Sequence, residues 1–276
     1  MELSIEFLKK LAINVYNAVH QLLGTREAAI KSKRGAGGDM SMEIDLIAEN
    51  VIISSLENSK ANLLLISEEL GEKYIGDIDK AKKNQNILIV DPIDGSNNAA
   101  RGIPYCSVSI GYAVGNKIKD IKKAVILNLN TKDIYWAKKG KGAFLNDSKI
   151  HISDLDLSQN CYFELNLPMK NLMENLQKLS PIIRKFYRVR ILGSSALTLC
   201  LVASGRLEAF INLRKSNRLV DVAAGMLILN EAGGKIFTLD GKEINKDLSI
   251  DVKFPFIACN VKLEPFLKSE LIDKES

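Results

Sequence analysis

The sequence has almost no histidine, no clustered cysteine and no long apolar run, and each shortage closes off a class of function. Its two histidines, His20 and His151, have no ligating neighbours nearby in the chain. Imidazole-built metal sites use clustered ligands, so both read as structural. The four cysteines, at 106, 161, 200 and 259, form no close pair that would suit zinc or a redox couple. Cys106 and Cys200 sit in apolar runs and read as small core residues. A chain of this size does not need disulfides, which points to a reducing compartment. No apolar stretch approaches the roughly 20 residues needed to cross a bilayer. The first residues, Met1-Glu2-Leu3-Ser4-Ile5-Glu6, carry acids where a leader would carry positive charge. These features predict a cytoplasmic protein with no membrane partner.

What is present is ordinary for a soluble globular chain: 46% hydrophobic and 26% charged residues over 276 positions. That length allows one large domain or two small ones. The net charge of +5 suits anionic small molecules and is too diffuse to argue for nucleic acid. The lysines at 80, 82 and 83, at 117, 119, 122 and 123, and at 138, 139 and 141 read as solvated faces or turns. Trp136 lies in an alternating segment and reads as packing.

Periodicity predicts an amphipathic helix over 4–23, from Ile5, Leu8, Leu11, Ala12, Val15, Val19, Leu22 and Leu23, and a second over 43–58. Between them, residues 31–40 read as a polar, glycine-rich loop. It is a candidate flap carrying Lys31 and Lys33 with Gly37 and Gly38, or simply surface. Strands follow at 63–67, 86–90, 105–114, 124–129 and 134–138. After about residue 150 helices and strands alternate: helix 170–179, strand 187–192, helix 195–204, strand 208–212, helix 221–232, and strands 234–238 and 255–259. The texture predicts α/β layering, divided into 1–150 and 151–276 with no flexible linker.

The most informative stretch is Asp91-Pro92-Ile93-Asp94-Gly95-Ser96, directly after the apolar run Ile87–Val90. Carboxylates at the end of a buried strand are costly unless paired or metal-bound. The small residues that follow suit a turn exposing backbone N–H groups, so a cation site beside an anion site is expected. Other acids hold similar places. Glu68 and Glu69 follow strand 63–67, Asp221 opens a helix, and Asp45 lies early in the second helix. Singly, each has an ordinary surface or helix-terminus reading. Jointly they suit hard divalent cations, which take oxygen ligands and serve phosphoryl displacement.

These motifs resemble the inositol monophosphatase family, within the lithium-sensitive, magnesium-dependent phosphatases that include fructose-1,6-bisphosphatases. Asp91–Ser96 is similar to the family's Asp-Pro-Ile/Leu-Asp-Gly-Thr/Ser, and Ser67-Glu68-Glu69 to its Gly-Glu-Glu. Asp221-Val222-Ala223-Ala224-Gly225 is similar to its Trp-Asp-x-Ala-Ala-Gly, and Gly193-Ser194-Ser195-Ala196 to its Gly-Ser/Thr-Ala segment. The resemblance runs from about residue 5 to 260. It implies a layered α-β-α-β-α sandwich of the sugar phosphatase type and a homodimer. It implies two or three Mg²⁺ ions, with Mn²⁺ as a possible substitute. Glu68, Asp91 and the Ile93 carbonyl would hold the first ion, and Asp91, Asp94 and Asp221 the second. Glu68, with Asp45 through water, would serve a third. Glu68 and Ser96 would activate the attacking water. Gly95, Ser96, Asn97, Ser194 and Ser195 would contact substrate.

The chain departs from the inositol-specific pattern in places. Val220 stands where the family has tryptophan, and Ala99 follows Asn98 where it has phenylalanine. Arg214 stands near the place of a glutamate that contacts ring hydroxyls. An arginine fork favours a second anion, and Arg188 and Arg190 would extend that basic region. The pattern resembles archaeal-type members that hydrolyse both fructose 1,6-bisphosphate and inositol 1-phosphate. A phosphatase for 3′-phosphoadenosine 5′-phosphate or NADP⁺ is the nearer alternative. An inactive member acting as a binding protein is the distant one, and would be marked by a broken ligand set.

Overall fold

The computed structural model describes residues 2–36 and 40–271, so Gly37, Gly38 and Asp39 of the glycine-rich segment lie outside the described residues. The first half runs α1 (Ile5–Val19), β1 (Lys31–Arg34), β2 (Met40–Met42), α2 (Glu43–Asn58), β3 (Leu63–Ser67), β4 (Gly71–Ile75), α3 (Ile78–Asn84), β5 (Asn86–Asp94) and α4 (Ser96–Arg101). It continues with β6 (Ser107–Val114), β7 (Ile121–Asn128), β8 (Ile134–Lys138), β9 (Ala143–Leu145) and β10 (Ser148–Ile150). The second half runs β11 (Tyr162–Asn166), α5 (Leu172–Ile183), β12 (Arg188–Arg190), α6 (Ser195–Ala203), β13 (Ala209–Asn212), α7 (Leu219–Glu231), β14 (Lys235–Phe237), β15 (Phe256–Cys259) and α8 (Glu264–Leu271).

Local chemistry sets several boundaries. Ser4 Oγ accepts the Phe7 N–H at 3.1 Å and caps α1, whose Leu8, Leu11, Ala12, Val15 and Val19 form one buried stripe. Asp45 Oδ2 accepts the Met42 N–H at 2.9 Å and fixes the start of α2. Helix 4–23 ends sooner than its periodicity predicts, turning at His20–Leu22 into a 3₁₀ turn. The 31–40 segment contains the paired strands β1 and β2 rather than loop throughout.

Two larger sheets organise the molecule. The first has eight strands in the order β10-β9-β8-β7-β6-β5-β3-β4, and only the β3–β5 pair is parallel. The second has the order β12-β11-β13-β15-β14, with β11 parallel to both of its neighbours. Helices α1 and α2 cover one face of the first sheet, and α6 and α7 cover the other. Helix α6 also packs on β13 and β15, so α6 and α7 fill the space between the sheets. Helices α5 and α8 close the far face of the second sheet. The layers are therefore α-β-α-β-α, as the resemblance implies. Helix α7 is buried from Leu219 through Leu229. It has no polar stripe because it has no solvent face.

The structure corrects some expectations. Strand β5 does not stop at Val90; it runs through Asp94. Its pairing with β6 slips between Asp91↔Ser109 and Asp94↔Ser107. Pro92 has no N–H to give the ladder, so an irregularity is favoured there. Strand β11, strand β4, helix α3, the β9–β10 hairpin and helix α8 were not predicted. Strand β4 carries three exposed polar or aromatic residues on an edge, and such edges lack apolar alternation. All four cysteines are free and buried. His20 stacks on Tyr16 and Trp136 on Phe144, both as packing. No helix among the described residues is long and apolar enough to cross a membrane.

Candidate active site

A cleft of about 690 Å³ opens where the two sheets and the central helices meet. Its walls include Asp45, Glu68, Glu69, Ile93, Asp94, Gly95, Ser96, Asn97, Ser195 and Asp221, all drawn from the motifs singled out in the sequence. The parallel β3–β5 pair delivers Glu68 and Asp91 side by side, since Ser67 pairs with Val90. Helix α7 brings Asp221 from the other half of the chain. Carboxylate oxygens of Glu68, Asp91 and Asp221 lie within 4.8 Å of one another.

Burial makes this cluster costly. Asp91 is 1% exposed; its Oδ1 accepts the Ile93 N–H at 3.0 Å. Its Oδ2, and Oδ1 of Asp45, are buried without a hydrogen-bond partner among the described residues. Desolvation, then the charges of Glu68, Asp221 and Asp94, hold the Asp91 carboxyl well above the usual range. Burial pushes Glu68 up to about 8, with Asp221, Glu69 and Asp45 adding repulsion and Arg218 opposing it. Burial also raises Asp45, Glu69 and Asp221.

Arg218 is the basic side chain paired directly into this group. Its Nε donates to Asp221 Oδ1 at 3.0 Å and its NH1 donates to Glu68. Among the described residues, one guanidinium paired into five buried carboxylates leaves excess negative charge. An all-oxygen donor set with orphaned, inward-facing carboxylate atoms fits hard divalent cations.

Asp94 has a different environment. Its Oδ1 accepts the Ser195 N–H at 3.2 Å and its Oδ2 the Ala196 N–H at 2.7 Å. The Ser194 hydroxyl donates to Oδ2 as well. Burial and Asp221 still push Asp94 up to about 7, against these donors. Gly95 follows with φ +93°, and a Cβ there would meet the Tyr105 carbonyl oxygen at 3.0 Å. The Ser96 hydroxyl donates to the Ile93 carbonyl at 2.9 Å and also reaches Asp45.

Three expectations about substrate contacts change. Ser194 is 1% exposed and does not line the cleft; its hydroxyl is spent on Asp94. Arg188 and Arg190 do not line the cleft either. They sit on β12, the edge of the second sheet, with guanidinium groups over the Tyr187 and Tyr162 rings at 4.0 and 5.0 Å. Arg214 does line the cleft, and its companions are Lys31 and Lys253, all three exposed.

Sequence reading missed several contributors. Lys253 reaches the cleft because the Phe254 N–H donates to Asn217 O at 3.0 Å, pinning its segment beside α7. Glu49 Oε1 accepts the Ser67 hydroxyl at 2.5 Å and the Leu70 N–H at 2.9 Å, holding the turn that carries Glu68. Ser41 joins them by donating its hydroxyl to Glu69, which the sequence does single out. The i, i+4 relation of Glu49 to Asp45 on α2 was the available signal. Lys253 offered none, because only tertiary contact brings it there.

A model of the inositol monophosphatase family matches residues 1–269. The fructose-1,6-bisphosphatase/inositol-1-monophosphatase of Methanothermobacter thermautotrophicus is 36% identical over 255 residues, covering 90% of this chain and 89% of that protein. The bifunctional NADP phosphatase/NAD kinase of Methanococcus maripaludis is 35% identical over 274 residues, 94% of this chain. The chain spans about half of that longer protein, 47%. The crystal structure of an inositol monophosphatase–fructose 1,6-bisphosphatase superposes with a TM-score of 0.82 at 29% identity, over 97% of this chain and 98% of that one.

Proposed function

The chain belongs to the inositol monophosphatase family, and on that premise we propose that it is a metal-dependent phosphomonoesterase acting on sugar and inositol phosphates, fructose 1,6-bisphosphate and inositol 1-phosphate among them. The observation that carries this reading is the buried Glu68–Asp91–Asp221 cluster at a cleft also lined by Gly95 and Ser96. Glu68, Asp91 and the Ile93 carbonyl would hold one Mg²⁺, and Asp91, Asp94 and Asp221 another. Asp45 would serve a third through water. Mn²⁺ would substitute.

Such cations supply charge stabilisation on the phosphoryl oxygens and a lowered water pKa when bound. Glu68 and Ser96 would orient the attacking water, with Glu68 accepting its proton. The Gly95 and Ser96 amides would hold the phosphate oxygens. Water attacks phosphorus in line and the P–O ester bond breaks, giving inorganic phosphate and an alcohol. No phosphoenzyme forms and phosphorus is inverted. We also propose a cytoplasmic homodimer; the four reduced, buried thiols suit such a compartment. Lithium should inhibit, giving a half-maximal concentration that a dose–response series at fixed Mg²⁺ would locate. Activity unchanged by lithium would remove that property.

Arg214 sets the substrate expectation. With Lys31 and Lys253 it lines the exposed mouth of the cleft, suited to a second anion. Arg214→Ala should lower kcat/KM for fructose 1,6-bisphosphate roughly tenfold or more, about 1.4 kcal/mol, and spare inositol 1-phosphate. Steady-state comparison of the two substrates decides: equal loss on both, or on neither, ends the second-anion idea.

A second reading is favoured by the relatives named as NADP phosphatase/NAD kinases. NADP⁺ carries a 2′-phosphate to hydrolyse and a pyrophosphate for the same three cations. Relative kcat/KM for fructose 1,6-bisphosphate, inositol 1-phosphate, 3′-phosphoadenosine 5′-phosphate and NADP⁺ separates the readings.

A further inference from the structure

Glu164 is a buried carboxylate that the proposed chemistry leaves without a task. It lies in β11 and is 2% exposed, where an acid needs compensating donors. It finds them on one short segment. Oε1 accepts the Leu192 N–H at 3.1 Å, and Oε2 accepts the Thr198 hydroxyl at 2.6 Å. Leu192 and Thr198 flank the turn that opens α6. Between them lie Ser194, Ser195 and Ala196, whose hydroxyl and two amides all converge on Asp94.

The turn is gripped from the other side as well. Asn98, in α4, donates its side-chain amide to the Leu192 carbonyl and to the Tyr105 carbonyl, each at 2.8 Å. Gly193 has φ +89°, and a Cβ there would come within 3.1 Å of Asn98 Nδ2. The Tyr105 hydroxyl meets the Thr198 hydroxyl at 3.1 Å. The segment therefore has little room to shift, and Glu164 fastens both of its ends.

We propose that Glu164 is a positioning residue, which holds the Leu192–Thr198 turn so that its donors fix the Asp94 carboxylate for cation binding. The inference rests on the reading of Asp94 as a cation ligand. A merely structural glutamate would affect folding and leave cation affinity alone. The clamp needs an acceptor for Leu192 and a partner for Thr198. Glutamine supplies both: its oxygen accepts the Leu192 amide, and its NH₂ donates to Thr198 Oγ1. The Thr198 hydroxyl proton then turns to the Ser194 carbonyl, 2.7 Å away. Alanine supplies neither.

The test is Mn²⁺ binding to the full chain, followed by the free-ion electron paramagnetic resonance signal, with thermal melting alongside. Glu164→Ala should weaken Mn²⁺ affinity at one site about fivefold or more, an effect in the range of outer ligand-orienting groups. Glu164→Gln should restore it to within about twofold. Wild-type affinity in Glu164→Ala, or equal weakening in both variants, overturns the proposal. Should Glu164→Ala fail to fold, Thr198→Val decides: it keeps the shape and removes the hydroxyl that meets Glu164, the Ser194 carbonyl and Tyr105. Weakened Mn²⁺ binding there supports the clamp, and wild-type binding overturns it. Asp94→Asn is the separate control. If it binds Mn²⁺ like the wild type, the reading of Asp94 as a ligand fails, whatever Glu164 does.

Discussion

Asp91→Asn should give a folded protein whose phosphatase activity falls by on the order of 10³ or more. Asp91 is proposed to serve two cations, so its loss removes charge from both. The same substitution should have the opposite effect on the empty protein. Asp91 is 1% exposed, one of its oxygens has no partner among the described residues, and Glu68, Asp221 and Asp94 repel it. Asparagine keeps the volume and removes the uncompensated charge. In EDTA at pH 8, Asp91→Asn should therefore melt above the wild type, while the gain in melting temperature on adding Mg²⁺ shrinks. Calorimetry with and without Mg²⁺, beside a kinetic assay, reads both signs. Activity within tenfold of wild type, or a metal-free variant that melts below it, would contradict the assignment.

Removing the metal should abolish phosphate release, with a loss of at least about 100-fold, and should make stability strongly pH-dependent. The sign follows from which state holds protons. Glu68 is pushed up to about 8 and Asp94 to about 7, against ordinary values of 4.5 and 3.8. Between those values the folded chain keeps protons that the unfolded chain releases. Metal-free stability is thus fully present near pH 4 in this respect and is lost as pH rises through 7 to 8. One pKa unit corresponds to about 1.4 kcal/mol, so a loss of several kcal/mol and a melting shift on the order of 10 °C is expected. Saturating Mg²⁺ should flatten or reverse the slope, because it favours the ionised carboxylates. Melting in EDTA and in Mg²⁺ across pH 5 to 8 measures this. A flat metal-free profile, or phosphate release that survives EDTA, would sink the cation site.

The sequence made the chemistry legible and left much of the scaffold hidden. Glu68, Asp91 and Asp221 each follow or begin a strongly apolar element, and an acid in such a place is visible without a structure. Element assignment was sound where one face is buried, as in α1, or where the run is wholly apolar, as in β3. It failed at β4, an edge strand with polar outward residues, and at β11, whose interior holds Glu164. It also ended β5 too early, since Pro92 reads as a stop although the strand resumes beyond it. The basic residues are placed least by the sequence. Arg188 and Arg190 are close to the Gly193 turn in sequence but lie on a sheet edge. Lys253 is remote in sequence yet reaches the cleft. Spacing along the chain carries no information about a segment that folds back to bring Lys253 beside Arg218.

The placement of charges also bears on how such a protein changes over generations. The proposed cation ligands sit on interior elements: the end of β3, the irregular stretch of β5, and α7, which has no outward face. A substitution in any of these disturbs packing on two sides at once. Lys31, Arg214 and Lys253 are themselves exposed at the mouth of the cleft. If those three positions hold a second anion as proposed, drift there would alter which phosphorylated molecule is preferred while the hydrolytic centre stays intact. Divergence of substrate within one conserved chemistry is then the path of least resistance for this architecture.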